Sequence, residues 1–310
     1  MRHRCSVRMT RTGGALVCYP SRMQKLRLLT RIAFVVIPVV VTYRFLSGAS
    51  RATIETYCPV GALETMPFYL QTKSFLCAVS GINLWMLTTV VIGTLLVGRA
   101  FCSWICPVGT IVAGIGSLGR RIHRGFAVIW RGPLDHLKWL RFPALGVILV
   151  ATYHYGDLVF RPFCPYFVGF SGHGHGIANW SYVLIPGLLL IGLALPFFWC
   201  RVLCPFGATL GVLRKVSPLA PTIQSGCTAC GICDAACPQQ IPVSERRRVA
   251  DMDCTQCLSC VDSCPSKQVA LVAGYRKPPV PRPPAPAPPA TARPDAGGSS
   301  AVKEGGGLAP

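Results

Sequence analysis

The sequence predicts a mainly α membrane protein, with four apolar helices forming two parallel repeats, followed by a small α+β domain organised by cysteines. Three observations predict it: apolar stretches of membrane-spanning length, a cysteine–proline motif that recurs beside them, and a doubled run of closely spaced cysteines towards the C-terminal end. Of the 310 residues 51% are hydrophobic and only 14% are charged. With a positive mean hydropathy, that balance is too apolar for an ordinary water-soluble domain.

The clearest apolar stretches are Phe75 to Gly98 and Ile177 to Cys200, each longer than the roughly 20 residues a membrane helix needs. Leu28 to Leu46 and Phe142 to Gly156 are weaker. Arg31 and Arg44 interrupt the first of these, and long basic side chains near helix ends can snorkel to the interface. The net charge of +20 resides largely in alternate loops. Met1 to Arg31 holds eight basic and no acidic residues, and Arg99 to Arg141 holds seven basic residues against Asp135. The loops from Ser47 to Ser74 and from Asp157 to Gly176 are nearly free of them. This alternation places the basic loops and both termini in the cytoplasm of a multi-pass inner-membrane protein. It also accounts for the basic charge through membrane lipid rather than nucleic acid.

The division that follows is a basic N-terminus over 1–27, a membrane domain over 28–220 with repeats at 28–119 and 138–216, a cysteine domain over 221–275 and a tail over 276–310. Met1 to Arg22 is expected to flank a retained anchor rather than a cleaved leader, with Met23 offering a second start. The tail is rich in proline, then glycine and serine, a composition that builds no core.

The repeat emerges when cysteines are aligned with the apolar stretches. Cys102-x-x-x-Cys106-Pro107-x-Gly109 follows the second stretch, and Cys200-x-x-x-Cys204-Pro205-x-Gly207 follows the fourth. Cys58-Pro59 follows the first and Cys164-Pro165 the third. Each half thus reads helix, outer Cys-Pro, helix, inner Cys-x-x-x-Cys-Pro. Two such copies predict packing about an axis along the membrane normal, with equivalent cysteines brought towards each other.

The sharpest chemical signal is Cys227-x-x-Cys230-x-x-Cys233-x-x-x-Cys237-Pro238, repeated as Cys254-x-x-Cys257-x-x-Cys260-x-x-x-Cys264-Pro265. Two-residue gaps wrap three thiolates round one [4Fe–4S] cube while the fourth reaches the neighbouring one. The expected ligand sets are Cys227, Cys230, Cys233 with Cys264, and Cys254, Cys257, Cys260 with Cys237. Zinc binding or a disulfide framework is the plainer alternative, and the doubled pattern disfavours it.

On these motifs the chain resembles the ferredoxin-type polytopic membrane iron–sulfur proteins, the NapH-like and NosR C-terminal-like family, over about Leu28 to Leu271. The resemblance implies electron transfer through two clusters on the cytoplasmic side, between quinone or quinol and a protein redox partner. A quinol dehydrogenase subunit is one form this takes. Cys58-Pro59 and Cys164-Pro165 stand outside the NapH-like pattern.

The remaining candidates leave alternatives open. Cys102, Cys106, Cys200 and Cys204 are expected to converge at the cytoplasmic mouth, as ligands of a further metal centre, as redox thiols or as small buried hydrophobes. Cys58 and Cys164 are open to three readings: structural disulfide, redox pair or cofactor ligands. Outward electron delivery through them has to bridge a hydrocarbon core ~30 Å thick and so demands an intermediate cofactor or bound quinone. His154, and His173 with His175 in a glycine-rich loop, are read as polar surface before metal, quinone or haem sites. Cys77 is read as a buried small residue, and Cys5 and Cys18 carry no role. The sequence contains no dinucleotide fingerprint. Two function classes stand: an electron-transfer component, and an assembly or maintenance factor that reduces thiols or metal for a respiratory enzyme, with a redox partner at the periplasmic face.

Overall fold

The computed structural model describes residues 22–48, 58–72, 81–122, 133–171, 179–224 and 226–274. Cys5, Cys18, Cys77, His173, His175 and the tail lie outside them. Among the described residues the chain is mainly helical, with one two-stranded sheet.

The first predicted stretch forms α1, Arg22–Leu46, which starts nearly two turns earlier than its apolar run. Most of its large apolar side chains are exposed. Among the described residues it is the one helix long and apolar enough to cross a membrane. Cys58 then leads into α2, Pro59–Thr72, with proline in the first turn, where its missing N–H costs nothing. The second stretch forms α3, Gly81–Val97; residues 73–80, where the predicted stretch begins, lie outside the described set. Gly98 ends it at φ +83°, and a Cβ there would stand 2.8 Å from the Arg214 side chain. The chain therefore turns under a buried arginine where only glycine fits. A single turn, α4 (Phe101–Trp104), precedes α5, Pro107–Ile122.

After a 3-10 segment, α6 spans Arg141–Tyr155, one residue from its predicted ends, and Gly156 closes it in the left-handed conformation. A short α7, Pro165–Phe170, follows Cys164. The fourth stretch departs from expectation. Its helix α8, Ser181–Ala194, stops because Leu195 precedes Pro196 and moves out of the helical region, and Phe197 then takes φ +62°. Cys200 consequently lies in a π-helical turn, Trp199–Leu203, not at the end of a long span. Helix α9, Pro205–Val216, completes this part.

Glycine sets how closely α5 and α8 approach, since a Cβ at Gly119 would meet the Leu193 carbonyl at 2.0 Å. Helix α9 packs on α3 and α6, α2 lies against the same pair, and α1 rests on α4, α5 and α7. The C-terminal part pairs β1 (Leu219–Ile223) antiparallel with β2 (Val269–Ala273), with Leu219 opposite Ala273 and Ile223 opposite Val269. Two single-turn helices, α10 (Ile232–Ala235) and α11 (Ser259–Asp262), lie between the strands in sequence. The small core joins Ile241, Val243, Val249 and Val269 to Cys233 and Cys260.

Candidate iron–sulfur centre

The two cysteine runs impose one backbone twice. Left-handed residues occur at Ala229, Gly231 and Gln240, and again 27 positions on at Gln256, Leu258 and Lys267. Ala229, Gln240, Gln256, Leu258 and Lys267 adopt a conformation costly for side-chain-bearing residues. Its recurrence at equivalent places shows that both turns are curled by the same requirement, to face several thiols inward.

Cys227, Cys230, Cys233 and Cys264 line a single cavity with Gly231, Ser244 and Val269. Cys260 in turn lies in the electrostatic field of Cys257, Cys254 and Cys237. The fourth cysteine of each run therefore crosses to the other's group. Burial, reinforced by neighbouring charges, pushes the Cys233 and Cys237 thiols up to about 12. A metal centre ligated by these cysteines would hold them as thiolates. Among the described residues no group of three or more His, Cys, Asp or Glu side chains is arranged to hold a metal ion.

The second run is seated on the helices. Arg27 Nη1 donates to the Cys257 carbonyl at 2.8 Å, Ser103 Oγ to that of Thr255 at 2.7 Å and Trp104 Nε1 to that of Gln256 at 3.1 Å. Arg99 Nη1 donates to the Met252 carbonyl at 2.8 Å and Nη2 to that of Cys200 at 3.3 Å, joining the second run to the inner cysteines. Arg31 donates through Nε to the Ser103 carbonyl at 2.6 Å, where α1 packs against α4. Cys230 of the first run is exposed.

Beside this seat Asp253 is buried under three guanidiniums: Arg141 Nη1 at 2.7 Å, Arg201 Nη2 at 3.2 Å and Arg99 Nη1 at 3.9 Å. Burial works against its charge, but Arg201, Arg141 and Arg99 together hold the carboxyl below the ordinary carboxylate range. Sequence reasoning counted Arg99 and Arg141 as loop charges and missed this clamp. Its visible signal was the position of Arg99 and Arg201 within three residues of the inner cysteines, with Asp253 directly before Cys254.

The inner cysteines converge. Cys106 feels Cys102 and Cys204, and Cys200 feels the other three. Gly109 N donates to Cys106 Sγ at 3.4 Å and Gly207 N to Cys204 Sγ at 3.3 Å, so both repeats cap a helix with a sulfur. The glycine of each Cys-Pro-x-Gly lets the chain fold back. A Cβ at Gly109 would meet the Cys102 carbonyl at 2.1 Å, and one at Gly207 the Cys200 carbonyl at 2.8 Å.

Cys58 and Cys164, each immediately before a short helix, line one cavity as free thiols. They were expected a membrane thickness away from the inner cysteines. Instead Cys164 and Cys200 belong to one hydrophobic core, against which Cys106, Cys204 and Tyr166 pack. Tyr166 lies in the field of Cys58, Cys164 and Cys106. Cys-Pro at the start of a short helix is compatible with a chain that dips into the fold, where loop composition alone suggested the far face. His154 is exposed on α6 beside Tyr153.

A 4Fe-4S binding domain model matches this chain twice, over residues 79–124 and 179–222, the segments that carry the inner cysteines of each repeat. A 4Fe-4S dicluster domain model matches residues 222–265. YccM of Escherichia coli K12, named for electron transport, is 32% identical over 229 residues, which are 68% of this chain and 61% of YccM. The ferredoxin-type protein NapH of the same organism is 29% identical over 54% of this chain and 59% of its own length. The methylamine utilization ferredoxin-type protein MauN of Methylobacillus flagellatus is 30% identical over 49% and 55%. This chain thus spans about three fifths or less of these three relatives, and no solved structure matches it. Matched by 4Fe–4S models in both helical repeats and in the doubled cysteine run, the chain belongs to the NapH-like, ferredoxin-type 4Fe–4S proteins.

Proposed function

We propose that this protein is a multi-pass inner-membrane electron carrier with two [4Fe–4S] clusters in its cytoplasmic domain, passing electrons between quinone or quinol and a protein redox partner. Cys227, Cys230, Cys233 and Cys264 hold one cluster, and Cys254, Cys257, Cys260 and Cys237 the other. Such clusters supply one-electron chemistry. The observation that carries the reading is the seating of the second run on α1, α4 and Arg99, beside the inner cysteines, with Cys230 of the first run exposed. That order gives an inner centre beside the apolar helices and an outer one accessible to a soluble partner. The apolar exposure of α1, α3 and α8 supports the membrane location. Adding a reduced short-chain quinol to anaerobic, detergent-solubilised protein should bleach the iron–sulfur absorbance; unchanged absorbance with every quinol tried would remove the quinone link.

The two free thiols of Cys58 and Cys164 on the wall of one cavity favour a second reading, in which the pair cycles between dithiol and disulfide as part of an assembly or maintenance role. Their position in one core with the inner cysteines shortens the route that electrons would take.

A further inference from the structure

Glu64 is 4% exposed, yet no step described so far uses it. It lies on the face of α2 that begins at Cys58, with Gly61 between them at three-residue spacing, and Cys58, Gly61, Glu64 and Cys164 all line one cavity. Val60, Leu158, Phe160 and Phe167 supply apolar wall. A carboxyl in such surroundings is costly unless hydrogen-bonded. Glu64 Oε1 accepts from Thr152 Oγ1 at 2.6 Å and from Phe160 N at 2.9 Å, so α6 and the loop after it fix its orientation. Gly61, between them, adds no side chain to the cavity wall. The cavity, about 40 Å³, admits water.

We propose that Glu64 is the proton-transfer group for redox cycling of Cys58 and Cys164, which rests on the reading above that this pair turns over. On reduction the S–S bond breaks and two S–H bonds form, consuming two electrons, delivered singly by reduced iron–sulfur centres, and two protons. Glu64 gives one proton to the thiolate released and regains it through the cavity, which also admits the second. Oxidation runs in reverse, with Glu64 taking a proton as the sulfurs join. The charged and titratable groups that share the cavity are Cys58, Cys164 and Arg161, and Tyr166 lies in the field of both thiols. Asn83 from α3, which donates to the Cys58 carbonyl at 3.0 Å, and Thr152 from α6 are neutral.

The test compares full-length wild type, Glu64→Gln and Glu64→Asp in detergent, the pair first oxidised with a disulfide reagent and the centres then reduced photochemically with deazaflavin. Alkylation trapping follows the pair, and iron content with EPR amplitude follows the clusters. Glu64→Gln should slow thiol appearance about 10²-fold at unchanged iron and EPR amplitude, the scale on which a positioned acid or base acts, and Glu64→Asp should recover part of the rate. Thr152→Val removes a donor to the carboxylate and should move the pH profile of the rate upward, which a purely structural role would not do. An unchanged rate in Glu64→Gln overturns the role of Glu64 alone. A pair that never leaves the dithiol state, or never leaves the disulfide, in wild type overturns the turnover reading with it.

Discussion

At the scale of single residues, Asp253 shows what a buried charge does when its partners come from another part of the chain. Three arginines from the helical part neutralise it, and the loop bearing Cys254 is held in place as a result. Removing the carboxylate leaves those cations facing one another, so Asp253→Asn should lower stability by about 3–5 kcal/mol, read by thermal unfolding. The pH dependence has a definite sign. A carboxyl held below its ordinary value contributes stability that is complete above that value, near pH 4, and is lost as pH falls through the depressed one. The wild-type melting temperature should fall further below about pH 4 than that of Asp253→Asn. The ligand groups make a second residue-scale prediction. Cys264→Ser should cost the cluster shared with Cys227, Cys230 and Cys233 and leave the other, taking iron from about eight to about four atoms per chain. Loss of both would contradict two separable groups.

At the scale of elements, the Cys-x-x-x-Cys-Pro-x-Gly unit explains why each repeat needs glycine as well as cysteine. Gly109 and Gly207 lie under the carbonyl of the first cysteine, at 2.1 and 2.8 Å from where a Cβ would stand, and their N–H groups meet the second sulfur. Gly109→Ala should therefore be the more damaging, with less folded protein recovered than for Gly207→Ala, because its Cβ would stand 2.1 Å from a backbone carbonyl against 2.8 Å. Gel filtration of solubilised protein measures this. The same elements show what the sequence could reveal. Helix α6 was legible to within a residue at either end because Gly156 marks its close. Helix α8 was not: the apolar run continues through Pro196, and composition does not register that proline's effect on Leu195. Short helices α2, α5, α7 and α9, each beginning at the proline of a Cys-Pro pair, were also hidden, because hydropathy detects spans and not turns.

At the scale of the whole molecule, the doubled cysteine run and the helical repeats were readable from spacing alone, since ligand geometry demands short fixed gaps. What joins them was not readable. The clamp on Asp253, the hydrogen bonds from Arg27, Ser103 and Trp104, and the merging of the thiol groups into one core are long-range contacts that no local pattern encodes. Together they give an order of cysteine groups, from the first run with its exposed Cys230 through the seated second run to the cysteines among the helices. That order depends on both runs being cluster sites. The most direct measurement is iron, acid-labile sulfide and zinc on anaerobically purified protein, with EPR after reduction. About eight iron and eight sulfide per chain, with the spectrum of two interacting [4Fe–4S] clusters, is the predicted result. Stoichiometric zinc without sulfide would contradict it.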